Sequence, residues 1–247
     1  MSEFKGESDF DKISHAFEND FESFLRKSNL NDDAIASVLD CCIVRELDKG
    51  ETFTADYEMS AVNFLCSGFL KSLLEIPVGT LRCAGFAAAG YCFHGDPPGG
   101  RQVTNYIALR QSRVISIRGE DLQRLAKEFS SIFELTIKVY TYKLYAERNW
   151  LVLGSAIDKK QYVLTTLYLL SIYQLKSGEE VTIRQQDVAE YCGVTQTYAN
   201  LVINEAVKTG AIKKKYGGIE VLSFELFTDL VDLDLIENMA EQDPQMP

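Results

Sequence analysis

Residues Val181 to Leu222 constrain this chain more than any other stretch, because two helical patterns meet there at a glycine and run into a short hairpin. The first pattern, Gln185 to Tyr191, puts Val188, Ala189 and the following Cys192 on one apolar side. The second begins after Thr195, whose side-chain oxygen suits an N-cap because it can accept from the first free backbone N–H groups. Its apolar residues Ala199, Val202, Ile203, Ala206 and Val207 recur at helical spacing. Gly193 stands where the turn between the helices needs a residue that tolerates positive φ, and Gly210 stands where the second helix must stop. Ala211–Lys215 and Ile219–Leu222 then read as two strands joined at Tyr216-Gly217-Gly218. Helix, turn, helix and hairpin in that order describe a winged helix-turn-helix, whose second helix is shaped for the DNA major groove.

The run from Asp187 to Ile212 resembles the C-terminal domain of the cyclic-AMP receptor protein and fumarate-nitrate regulator (Crp/Fnr) superfamily of bacterial transcription factors. The family pattern is Asp, an aliphatic residue and Ala, then Gly, Ser or Thr, and Arg-Glu-Thr; Asp187, Val188, Ala189, Gly193 and Thr195 hold that register without a gap. The readers differ. Where the family has Arg, Glu and Arg, this chain has Gln196, Thr197 and Leu201. Glutamine can pair with adenine and threonine with a base edge or methyl group, whereas leucine offers only apolar contact. The resemblance makes Gln196, Thr197 and Asn200 base-reading candidates, and Thr195, Tyr198, Lys213, Lys214 and Lys215 phosphate candidates, with Arg184 adding local positive charge.

Net charge runs against this reading. At −11 the chain is acidic overall, whereas nucleic-acid surfaces are ordinarily basic. The positive charge must therefore be local, in Arg184, Lys208 and the three lysines of the hairpin, and Glu179, Glu180, Asp187, Glu190, Glu205 and Glu220 share the segment. A lysine-rich hairpin that is merely solvated is the alternative. The 46% hydrophobic and 25% charged content is that of a globular chain with a sizeable core. Val163–Leu175, the longest apolar stretch, is too short and too polar for a membrane span, and MSEFKGESDFDK lacks an apolar signal core. A cytoplasmic location is the expectation. The six cysteines show no C-x-x-C pair and read as thiols.

Taken in order, residues 1–29 form an acidic leader with Phe10, Ile13, Phe17, Phe21, Phe24 and Leu25 at helical spacing, and Leu30–Leu39 is a second short helix capped by Asn31 or Asp32. From Cys42 to Ile117 short apolar runs alternate with glycine turns at Gly50, Gly68, Gly79 and Asp96–Gly100, the pattern of an antiparallel β-roll. Its order resembles the family's cyclic-nucleotide-binding sensor domain. Asp121–Gly154 reads as one long helix, or a short one followed by a long one. Ile132, Leu135, Val139, Tyr142, Ala146 and Trp150 recur along it at steps of three or four. The number of apolar residues invites a partner helix, and the resemblance implies a dimer interface; packing on the chain's own roll is the alternative. Ile157–Leu175 is an apolar helix supporting the helix-turn-helix, and Phe224–Met239 is an acidic amphipathic tail.

Two constellations bear on an effector. The resemblance implies a Gly-Glu pair and a later Arg-Ser pair around a cyclic nucleotide, and Gly95-Asp96 and Arg101 stand nearest to them. Only Pro97, Pro98, Gly99 and Gly100 separate Asp96 from Arg101, leaving no room for the short helix between the family's pairs. Cyclic AMP in that mode is therefore not expected, and a polar loop is the favoured reading. Cys92 and His94 form a Cys-x-His pair that strand alternation would place on one face, compatible with haem ligation as in carbon-monoxide-sensing relatives. A structural histidine near a turn is the more economical reading, and no metal is expected. No P-loop, dinucleotide fingerprint, zincin motif or nucleophile elbow appears, so no enzymatic activity is expected.

The expected fold is α+β. It comprises an acidic helical leader (1–29), an N-terminal antiparallel β-roll like a cyclic-nucleotide-binding jelly roll (30–119), a long dimerisation helix (120–154), a winged helix-turn-helix (155–223) and an acidic tail (224–247). The expected function is that of a homodimeric sequence-specific regulator bound to double-stranded DNA, with RNA polymerase a candidate further partner and no membrane partner. A module that keeps the fold for protein interaction, having lost specific DNA binding, is the rival.

Overall fold

Period-two alternation through residues 43–117 sends successive side chains to opposite faces of a sheet; along Thr52–Ala55 one face is exposed, whereas along Val62–Ser67 and Cys92–His94 both are buried. The strands are β1 (Ile43–Leu47), β2 (Thr52–Ala55), β3 (Val62–Ser67), β4 (Phe69–Ile76), β5 (Thr80–Ala88), β6 (Cys92–His94), β7 (Thr104–Ala108) and β8 (Ser112–Ile117). They form two four-stranded sheets, ordered β1-β8-β3-β6 and β2-β7-β4-β5. Phe53, Leu65, Leu70, Phe93, Tyr106 and Val114, drawn from both sheets, make one core. Val62, Phe64, Cys92 and Ile117 go to a second core with the helices α1 (Phe21–Lys27) and α2 (Asp32–Cys41). Neighbours such as Phe64 and Leu65, or Cys92 and Phe93, thus belong to different cores. The computed structural model describes residues 21–76, 79–96, 104–177, 183–215 and 218–234. The leader positions Phe10, Ile13 and Phe17, the loop 97–103, the turn residues Tyr216 and Gly217, and the tail from 235 onward lie outside them.

Local chemistry explains the element ends. Asn31 caps α2, its side chain accepting from the Ala34 N–H at 2.8 Å. At the β3–β4 turn Gly68 has φ +103°, and a Cβ there would lie 2.1 Å from Ser112 Oγ. Only glycine fits, because Ser112 Oγ accepts from the Phe69 N–H and donates to the Arg110 carbonyl. Asn63, wholly buried on β3, is satisfied by donating to the Ser60 carbonyl and accepting from Ser116 Oγ. A single turn, α3 (Tyr57–Ser60), is capped by Asp56. No disulfide joins the six cysteines.

Beyond β8 lie α4 (Gly119–Glu128) and α5 (Ser130–Ala156), separated at Phe129 by extended backbone (φ −126°, ψ 110°). The second of the two expected helical arrangements is the one found. Helix α5 corrects the expectation about its apolar stripe. Ile132, Leu135 and Val139 are buried in the core they share with α1 and α2, so this part of the stripe read as a partner surface packs within the chain, as the alternative reading had it. The side chains of Ala146 and Trp150 lie outside the described residues. A different stripe faces outward: Phe133, Ile137, Leu144 and Val152 are 49–63% exposed. The described residues divide into two compact units. The first holds these strands and helices up to Leu70 and from Phe86 to Leu144.

The second unit takes the chain from Tyr145 onward, and it also takes in Lys71–Gly85, most of the β4–β5 hairpin. It contains α6 (Lys159–Ser177), α7 (Gln185–Tyr191), α8 (Gln196–Lys208), the hairpin β9 (Ile212–Lys215) and β10 (Gly218–Val221), and α9 (Phe224–Thr228). Val163, Leu164 and Leu167 of α6 are buried, as are Val188 and Ala189 of α7 and Val202 and Ile203 of α8. Phe227 closes the end, edge-on to Tyr168 with ring centroids 5.5 Å apart. No described helix is long and apolar enough to cross a membrane.

Candidate nucleic-acid interface

The helix-turn-helix is held from inside by a charge cluster. Asp187 sits in the first turn of α7 with its carboxylate 1% exposed, where the helix dipole favours a negative charge. Lys71 Nζ on β4 donates to Asp187 Oδ1 at 2.8 Å from a side chain only 6% exposed. Arg184, at the N-cap position, donates to both carboxylate oxygens at 2.8 and 2.9 Å. Burial pushes the Asp187 carboxyl up, but the hydrogen bonds from Arg184 and Lys71 outweigh it and hold the group below its ordinary value. A second tie joins the β4–β5 hairpin to α7, the Cys83 N–H donating to Glu190 Oε2 at 3.1 Å.

The turn and the second helix follow from residues adjacent in sequence. Gly193 adopts φ +62°, and the Val194 N–H closes onto the Ala189 carbonyl. Thr195 caps α8, its hydroxyl accepting from the Tyr198 N–H at 3.2 Å. Ala199, Val202, Ile203 and Ala206 then face inward and fix which side of α8 meets solvent.

On that side Gln196, Thr197, Tyr198, Leu201, Asn204 and Lys208 are exposed, with Asn200 and Glu205 half-buried. Thr197, Asn200, Leu201, Asn204, Glu205 and Lys208 form one continuous open surface along the helix. Glu205, whose charge would repel phosphate, is paired with Lys160 Nζ of α6 at 2.5 Å. The side-chain oxygen of Asn200 is shielded from water and has no hydrogen-bond partner. In the wing, β9 and β10 pair antiparallel with Lys214 opposite Ile219 and Lys213 opposite Glu220. Ile212 and Ile219 are buried and Lys213, Lys214 and Lys215 exposed, Lys215 lying 3.3 Å from Glu220.

The structure thus brings Gln196, Thr197, Tyr198 and Asn200 to one solvent-facing helix and the three lysines to the adjoining hairpin. Arg184 is tied to Asp187, although its side chain is more than half exposed, and the Thr195 hydroxyl is used as a cap. Sequence reasoning missed Asn204 and the pairing of Glu205 with Lys160. Asn204 lies four residues beyond Asn200, so helical spacing alone could have found it.

The effector candidates behave differently. The Asp96 carboxylate accepts from the Thr104 N–H, while its backbone bonds Ala55 and Tyr57. Arg101 lies outside the described residues. The His94 ring stacks on Tyr140 with centroids 4.0 Å apart and planes 10° from parallel, and its Nδ1 is 3.1 Å from the Gly95 carbonyl. Burial, with the nearby Lys143 cation second, lowers the His94 pKa and favours the neutral ring. Cys92 is wholly enclosed in the helix-side core, where burial pushes its thiol up and keeps it protonated. An enclosed thiol and a stacked imidazole do not make a haem ligand pair. Among the described residues no three His, Cys, Asp or Glu side chains gather as a metal site.

No protein-family model and no curated protein sequence matches the chain. Solved structures do. A protein described as a transcriptional regulator of the Crp/Fnr family from Eubacterium rectale superposes with a TM-score of 0.64 at 14% identity, over 83% of this chain and 96% of its own. FixK2 from Bradyrhizobium japonicum gives 0.62 at 15% identity, over 77% and 98%. The c-di-GMP-responsive global regulator CLP of Xanthomonas campestris gives 0.59 at 15%, over 78% and 100%. These likenesses show the fold: α+β, with the β-roll and C-terminal helices of the Crp/Fnr regulators.

Proposed function

We propose that this chain is a homodimeric, sequence-specific DNA-binding transcription regulator of the Crp/Fnr type rather than an enzyme. The observation that carries the reading is the solvent face of α8. Six side chains able to meet a base edge or backbone lie along one face of a helix-turn-helix, beside a wing whose three lysines are exposed. The overall charge of −11 does not count against this, because the acidic groups nearest the reading face are neutralised internally: Asp187 by Lys71 and Arg184, Glu205 by Lys160. Lys213 and Lys214 supply phosphate contacts, and with few of them the fall of affinity with salt is shallow, about 0.9 log unit per contact for each tenfold rise in salt.

Dimerisation rests on the outward stripe of α5. A 27-residue helix is about 40 Å long, and Phe133, Ile137, Leu144 and Val152 mark one side of it with exposed apolar surface. A second copy laid along the same stripe would cover both and present two α8 helices to successive major grooves. Cyclic AMP in the usual mode is not the effector, since only Pro97, Pro98, Gly99 and Gly100 separate Asp96 from Arg101.

The test is fluorescence anisotropy on duplexes selected by the purified full-length protein, against scrambled duplexes, across a salt series. Binding that prefers the selected duplex and weakens with salt supports the regulator. Equal affinity for both, or none at low salt, transfers the fold to a protein-interaction role. In sedimentation velocity, Phe133→Glu with Ile137→Glu yields monomers if α5 is the interface; a dimer that survives both places it elsewhere.

A further inference from the structure

Resting on the DNA-binding reading, we infer that Leu201 is a specificity-determining residue that reads thymine C5-methyl groups, and that each half-site is A·T-rich beneath α8. Leucine is costly to leave in water, yet Leu201 is 54% exposed at the centre of the reading face, between Thr197 and Asn204. Its neighbours there are amides and a hydroxyl: Gln196, Thr197, Asn200 and Asn204.

The major-groove code makes this set selective. Guanine is read through O6 and N7 by a two-pronged cation, and the first cation along the face is Lys208, at the last position of α8. Cytosine is read through its amino group by a carboxylate, and the one carboxylate here, Glu205, is held by Lys160. Adenine presents N7 as acceptor and N6 as donor, the complement of an Asn or Gln amide. The remaining feature of an A·T pair is the thymine methyl, and Leu201 is the aliphatic group placed among the amides to cover it.

The experiment uses the full-length protein and its own selected duplex. Single thymines in each half-site are replaced by uracil, which removes the methyl group and keeps the base pairing. Burial of one methyl predicts about a fourfold loss of affinity per half-site at one position. The same replacement costs Leu201→Ala less than it costs the wild-type protein, because the shortened side chain covers less of the methyl. Leu201→Arg, at an exposed position where folding is not at stake, shifts the selected base pair from A·T to G·C. Selection of G·C beneath α8 by the wild-type protein, or equal affinity for thymine and uracil duplexes at every position, overturns the inference while leaving the regulator intact. Failure to select any sequence over scrambled DNA overturns both.

Discussion

Polar side chains meet opposite fates at the end of β6 and along α8. Around His94 the chain turns its polar groups on itself: Asp96 holds the Thr104 N–H, His94 lies flat on Tyr140, and Cys92 is sealed in the core. Along α8 only the buried side is closed, and Gln196, Thr197, Asn204 and Lys208 reach solvent. Both segments carry residues that could bind something, so residue type does not separate them. Internal hydrogen bonding does. Turning the Asp96 carboxylate to a ligand would orphan the Thr104 N–H it satisfies, whereas an exposed amide on a rigid helix loses little entropy in meeting a base.

The largest effect expected comes from opening the closed chemistry inside the reading unit. Asp187→Ala would leave the Lys71 ammonium buried and unpaired, at a cost of about 3–5 kcal/mol, read as a fall in urea midpoint. An unchanged midpoint would mean that water reaches Lys71 and that the cluster is not closed. The same carboxyl sets an acid limit. Its folded pKa lies below the unfolded value, so its stabilisation is present above about pH 4 and is lost as pH falls through the folded value. Asp187→Asn should therefore flatten the acid limb of a stability–pH profile.

Next in size is the contrast between the two faces of α5. Ile132→Ala, in the core, should cost about 2–5 kcal/mol in chemical denaturation. Its neighbour Phe133→Ala, 58% exposed, should change protomer stability by less than about 0.5 kcal/mol and weaken self-association instead. Equal losses at the two positions would erase the distinction. A smaller effect, about 1–2 kcal/mol, is expected for Asp96→Ala, which orphans the Thr104 N–H, with DNA affinity unchanged. Altered DNA affinity would show that the roll segment is not spent after all. The smallest is Lys214→Ala, which should weaken all duplexes alike and reduce the salt slope by about one unit.

What the sequence disclosed was local. Gln185–Tyr191 and the Thr195 cap stand where the pattern put them, because caps, turn glycines and 3.6-residue periodicity act over a few residues. The roll's strands were readable for the same reason, their alternation and glycine turns being near-neighbour signals. Direction was not readable. Periodicity marks Ile132, Leu135 and Val139 as one face of α5 but cannot say whether the roll or a second copy covers it; that depends on α1 and α2, about a hundred residues earlier. Asp96 could be a ligand or a loop tie, and only the position of Thr104 decides. Arg184 looked available for phosphate because its partner, three residues on, counts in sequence only as another charge.

The contact between Lys71 and Asp187 spans 116 residues of sequence. During synthesis the lysine emerges long before the aspartate, so the pair closes only after α7 is made. A DNA-binding fragment cut at the start of α6 would lack that lysine and the Cys83 backbone tie. Its first recognition-motif helix would then carry a buried carboxylate with Arg184 alone for company. The helix-turn-helix is therefore not a detachable part, and any chimaera that transplants it must carry the hairpin along.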